Sequence, residues 1–232
     1  MARKQIALAA FAMAAFSGLS SASAADLIFD LDTGNPDISG FTGPYASVDV
    51  HWVDTTHATI TFTALVNGGH AYLIGDGGTA GVNVNATSWT LGPNPISGSN
   101  SFFATTPTFS DGGGGNEDGF GNFNQTINTN DGYTSASTTV SFELTDTSGT
   151  WADATSVLKA NADGALAAAH IFVCGTTTCT HDGGAVATGF AAGANGGVII
   201  GGGGGATPEP ASLTLLGGGL AALGLLRRRS KK

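Results

Sequence analysis

Positive charge is almost missing from the middle of this sequence. Between residues 25 and 207 one lysine, Lys159, stands against 16 Asp and Glu, a net charge of −15 with histidine neutral; the remaining Lys and Arg sit in the first four and last six positions. A body of that sign repels phosphate backbones and anionic lipid, which excludes nucleic-acid binding and a polybasic membrane patch. Its single lysine, Lys159, is not part of a phosphate loop, and no G-x-x-x-x-G-K-[ST], G-x-S-x-G or H-E-x-x-H motif occurs. Cysteine is scarce: Cys174 and Cys179 are the whole complement. No apolar run reaches the ~20 residues that span a bilayer comfortably. Glycine, in contrast, is abundant at 37 residues and spread through the body, which excludes long helices there.

The ends read as addresses. Arg3 and Lys4, an apolar run from Ile6 to Phe16 and a small-residue exit, Ala22-Ser23-Ala24, give the three regions of a secretory signal peptide over residues 1–24. At the other end, residues 201–207 form a Gly-rich linker. Pro208-Glu209-Pro210 follows, then an apolar segment over 211–226 predicted to be a short transmembrane helix, then Arg227, Arg228 and Arg229. The basic cluster stays on the cytoplasmic side by the positive-inside rule, so the acidic body is expected outside.

Residues 208–232, with a Pro-Glu-Pro motif, a short hydrophobic segment and an Arg-rich end in that order, resemble the PEP-CTERM sorting signal of Gram-negative bacteria. The resemblance implies that an exosortase, a membrane-embedded cysteine transpeptidase, is the partner. It further implies a precursor held transiently in the inner membrane, removal of the tail, and delivery to the cell envelope or extracellular matrix. Members of the family commonly accompany exopolysaccharide production. The body also resembles a recurrent group of PEP-CTERM proteins through GPYASV at Gly43, GDGGTAGVNVNATSW at Gly75, DGFGNFNQTI at Asp118 and AAAHIFV at Ala167. That second resemblance implies a destination and no activity.

Within residues 25–200 the segments between glycines alternate with period two, the strand signature. Val48, Val50 and Trp52 share one face; after a turn at Asp54-Thr55-Thr56-His57, so do Ala58, Ile60, Phe62, Ala64 and Val66, with Thr59, Thr61 and Thr63 opposite. Val82 and Val84 alternate with Asn83 and Asn85, and Val140, Phe142 and Leu144 with polar neighbours. The run from Ala167 to Cys174 is apolar on both faces apart from His170, as a central strand is. One short helix is expected within residues 153–166. The fold class is all-β, a β-sandwich of jelly-roll type.

Chemistry is sparsely marked. An exported chain meets an oxidising compartment, so Cys174 and Cys179 are expected to pair; free thiols, or zinc with His170 and His181, are the alternatives. The stretch from Asp111 to Asn124 is expected to be a solvated glycine-rich loop. Calcium, held by Asp111, Asn116, Glu117 and Asp118, is its alternative, because that ion prefers carboxylates and carbonyls on flexible loops. The match to a calcium-binding nonapeptide is single and broken, with Glu117 where Asp belongs. Trp52, Trp89 and Trp151 supply either core or a sugar-stacking platform. The expectation is an exported non-catalytic surface or matrix protein without a cofactor, associated with extracellular polysaccharide. A calcium-dependent carbohydrate-binding module and a polysaccharide-active enzyme are the alternatives.

Overall fold

The computed structural model describes residues 26–104, 106–194 and 199–201. Its strands are β1 (Asp26–Leu31), β2 (Thr33–Gly34), β3 (Ala46–Trp52), β4 (His57–Ala64) and β5 (Val66–Asn67). There follow β6 (His70–Ile74), β7 (Ala80–Val82), β8 (Trp89–Leu91), β9 (Ser97–Ser99) and β10 (Phe109–Glu117). The last are β11 (Gly121–Thr129), β12 (Thr139–Asp146), β13 (Ala165–Val173), β14 (Ala187–Ala194) and β15 (Ile199–Gly201).

They form a two-sheet sandwich, the architecture the alternation predicts. The seven-stranded sheet runs β15-β1-β3-β4-β12-β8, with β9 also on β12. The eight-stranded sheet runs β10-β11-β7-β13-β14-β2, with β6 on β13 beside β7 and β5 on β6. All pairings are antiparallel. One main core lies between the sheets. Phe29, Val48, Val50, Ile60, Phe62, Val140, Phe142 and Leu144 enter it from the first sheet, and Tyr72, Ile74, Val82, Ile127, Ala169, Ile171 and Val173 from the second.

The β3–β4 hairpin follows the sequence closely. Val48 pairs with Phe62 and Val50 with Ile60, and Thr59, Thr61 and Thr63 take the other face. Its turn is tied locally: Asp54 Oδ1 accepts from the backbone N–H groups of Thr56 at 2.8 Å and His57 at 2.9 Å, which an Asp at a turn does readily. The alternation stops at Ala64. Val66, expected on the core face, lies in β5 and is exposed, because the chain bends there toward the second sheet.

Two other expectations are corrected. Residues 153–166 hold only a 3-10 turn, Ala154–Ser156, capped by Asp153, before β13 begins at Ala165; Gly164, at φ 91°, stops a helix. The glycine-rich stretch is a strand and not a solvated loop: β10 pairs with β11 from Phe109↔Thr129 to Glu117↔Gly121, with two register shifts near Gly113. Glycines carry no side chains to alternate, so the strand is specified by its partner, where Phe123, Gln125 and Ile127 are buried. The folded chain reaches Gly201 in β15, where the linker was expected to start.

No helix among the described residues is long and apolar enough to cross a membrane; the segments expected as signal peptide (1–24) and transmembrane helix (211–226) lie outside them.

Candidate functional site

The outer face of the eight-stranded sheet carries most of the unusual side chains. Along β13, Ala167, Ala169, Ile171 and Val173 point into the main core, so Ala168, His170 and Phe172 point the other way. Yet these too are buried. One small cluster there joins Ala71, Leu73, Ala136, Phe172, Cys174 and Cys179, covered by Phe102, Phe103 and Tyr133. Another joins Phe123, Ala165, Ala168 and Ala192, covered by Phe120 at the β10–β11 turn. The central strand is buried on both faces because loops fold back over it.

His170 stands between the two clusters. Its ring stacks on Phe190 at 4.6 Å, and its Nε2 lies 2.7 Å from Thr188 Oγ1. Burial pulls its pKa below the ordinary histidine value, opposed by the nearby Asp76 carboxylate and the Gly75 backbone carbonyl, both of which favour the protonated ring. Asp76, a non-glycine residue at φ 72°, brings Oδ2 within 3.8 Å of His170 Nδ1. Carboxylate, imidazole and hydroxyl thus follow one another in the order of a nucleophile relay. The first gap is longer than a hydrogen bond, and His170 Nδ1 has no partner.

Glu117, at the end of β10, is fully buried with neither carboxyl oxygen hydrogen-bonded. Burial pushes its pKa up to about 9, so the group is neutral at pH 7. Gly78 and Gly81 make its space: a Cβ on either would lie 3.0 Å from a carboxyl oxygen, and Gly78 has φ 67°. The glycines of the GDGGTAGV stretch are therefore a seat for the acid from the strand across the sheet.

The four residues considered for calcium are not brought together. Asp111, Asn116 and Glu117 lie along β10, and six residues of strand separate the first from the last by roughly 20 Å. Glu117 has no hydrogen-bond partner and the other three are engaged separately: Asp111 Oδ1 accepts from Gln125 Nε2 at 2.8 Å, Asn116 Nδ2 donates to Asn122 Oδ1 at 3.4 Å, and Asp118 Oδ2 accepts from Asn35 Nδ2 at 3.3 Å. Among the described residues no group of three or more His, Cys, Asp or Glu is arranged to hold a metal ion. Cys174 and Cys179 are joined as a disulfide with Cα atoms 5.4 Å apart, which removes the thiolates a zinc site with His170 and His181 would need.

One tryptophan is buried and two are half-buried against the core. Trp151 is in the main core and donates its indole N–H to the Asn85 carbonyl at 3.0 Å. Trp89 packs on the core and donates to Gln125 Oε1 at 3.0 Å; Trp52 also packs on it with its indole nitrogen buried.

A cavity of about 300 Å³ opens where three loops meet, lined by Thr106, Pro107, Thr108, Asn130, Thr134, Ser135 and His181. Tyr133 anchors its side: the ring meets Phe172 edge-on at 5.8 Å and the hydroxyl lies 3.5 Å from Cys174 Sγ. His181, just past the disulfide, sits edge-on to Phe103 at 5.7 Å. Sequence reasoning raises His181 only as a zinc candidate and misses the rest. Its lining comes from segments more than twenty residues apart with no shared motif, so only the fold assembles it.

The sorting residues Pro208, Glu209, Pro210, Arg227, Arg228 and Arg229 lie outside the described residues. The family model of the PEP-CTERM protein-sorting motif matches residues 206–229. No curated protein and no solved structure matches the chain.

Proposed function

We propose that this PEP-CTERM protein is a non-catalytic component of the cell surface or extracellular matrix, working without a cofactor and retained there by exopolysaccharide. The sorting motif carries the coarse part: the chain is exported as a membrane-anchored precursor and sorted to the cell envelope by an exosortase. The finer part is supported by how the sandwich uses its residues. Trp151 is buried and Trp52 and Trp89 are half-buried against the core, Asp111 lies along β10 well away from Asn116, Glu117 and Asp118, and the body is strongly acidic. Such a body resists anionic surfaces and self-association, which suits a soluble module within a hydrated polymer.

The test is fractionation of the producing strain and of a derivative that makes no exopolysaccharide. Mature protein should follow the polymer fraction in the first and move to the medium in the second. An identical distribution in both strains would remove polymer retention from the account.

A further inference from the structure

We propose that the cavity bounded by Thr106, Thr108, Asn130, Thr134, Ser135 and His181 binds a neutral saccharide. The proposal deepens the matrix reading, because it names the chemistry by which the body would meet its polymer.

No Lys or Arg lines the cavity, and Lys159 is the only one in residues 25–207, so a phosphate, sulfate or uronate would enter a negative field without a counter-charge. Pro107 is the only apolar side chain in the lining, so an apolar ligand would strand polar groups against carbon. What remains is an uncharged ligand that both donates and accepts hydrogen bonds. Threonine and serine hydroxyls and an asparagine amide do both, as sugar hydroxyls do. Thr106, Thr108, Asn130, Thr134 and Ser135 all contribute such groups to the lining. His181, edge-on to Phe103 and with Nδ1 3.1 Å from Asp182 Oδ1, adds an imidazole whose nitrogens also donate and accept. About 300 Å³ is at the small end of ligand sites, enough for one or two sugar units of a longer chain.

The cavity is also held in shape. Tyr133 is fixed by Phe172, Phe103 and the disulfide sulfur, and the Cys174–Cys179 bridge sets where the chain leaves toward His181. Preorganised walls lower the ordering penalty that weakens small sites.

The experiment is saturation-transfer NMR on the full-length chain with cellobiose, maltose, N,N′-diacetylchitobiose and digalacturonate as probes. At least one neutral disaccharide should bind saturably, and digalacturonate should not. The pair Asn130→Ala and Thr134→Val, both at exposed positions, should weaken the neutral ligand by about tenfold, the effect of losing one or two hydrogen bonds, while the melting temperature stays unchanged. Absence of binding by all three neutral sugars, preference for digalacturonate, or equal binding by the double variant would overturn the proposal. Failure is distinguishable from failure of matrix retention: a body that binds the disaccharide but partitions identically with and without polymer keeps the site and loses the retention.

Discussion

Glu117 shows how one side chain can set the response of the whole body to pH. Its pKa, pushed from about 4.5 to about 9 by burial, means that the folded chain keeps a proton the unfolded chain releases above pH 4.5. Stability from this group is complete below pH 4.5, falls as pH rises from there, and levels off above about 9. Glu117→Gln carries no titrating proton. Urea midpoints of wild type and variant between pH 5 and 8.5 should therefore diverge, the variant gaining on wild type by at most about 1.4 kcal/mol per pH unit. Parallel curves would mean the carboxyl is ionised in the fold. His170 works in the opposite direction, its depressed pKa removing stability as pH drops through the ordinary histidine value, but it is common to both proteins and cancels. A second contrast sits on β4. Phe62 is fully buried and stacked on Phe142 at 6.4 Å, so Phe62→Ala should destabilise by about 3 to 5 kcal/mol. Thr61→Ala, on the other face, loses one hydrogen bond to Ser141 and should destabilise by about 1 kcal/mol. Comparable losses in denaturant melts would contradict the register.

At the scale of elements, the segments with large alternating side chains were legible and those specified by their partners were not. β3, β4, β12 and β13 declare themselves through valine, phenylalanine, leucine and alanine, and the alternation shows which face of the β3–β4 hairpin enters the core. β10 does not, since FSDGGGGNE has only glycine where a face would be read. The same limit hid the seat of Glu117, because Gly78 and Gly81 matter for the side chains they lack. Gly81→Val should thus disturb the β7–β11 region by displacing the acid, with a destabilisation in the overpacking range of about 1 to 3 kcal/mol, read in a thermal melt; a neutral outcome would show that Glu117 sits elsewhere. The disulfide was legible from compartment and spacing. Closing so short a loop stabilises by about 2 kcal/mol in the chain-entropy account, so the Cys174→Ser, Cys179→Ser double variant should lose about that much in a urea melt. A midpoint equal to wild type would assign the bridge no role in stability.

For the whole molecule, function divides between a destination carried by the last residues and a sandwich that is carried there. The destination was readable because three features stand in fixed order at one end of the chain, and a family model recovers them at 206–229. The cavity was not, since Thr106, Asn130 and His181 come from different loops and only strand order makes them neighbours. The central claim is that Pro208-Glu209-Pro210 commits the precursor to exosortase processing. Proline carries no backbone N–H, and Glu209 is the only acidic side chain in residues 208–232, so alanine at all three positions removes what sets the motif apart. Replacing all three with alanine leaves the apolar segment and Arg227 to Arg229 in place, so export and anchoring should persist while cleavage stops. The decisive measurement is an immunoblot of membrane and secreted fractions from hosts with and without the exosortase. Wild type should mature only where the enzyme is present, and the triple-alanine variant should accumulate in the membrane at precursor mass in both. Equal maturation of both proteins in both hosts would contradict the account.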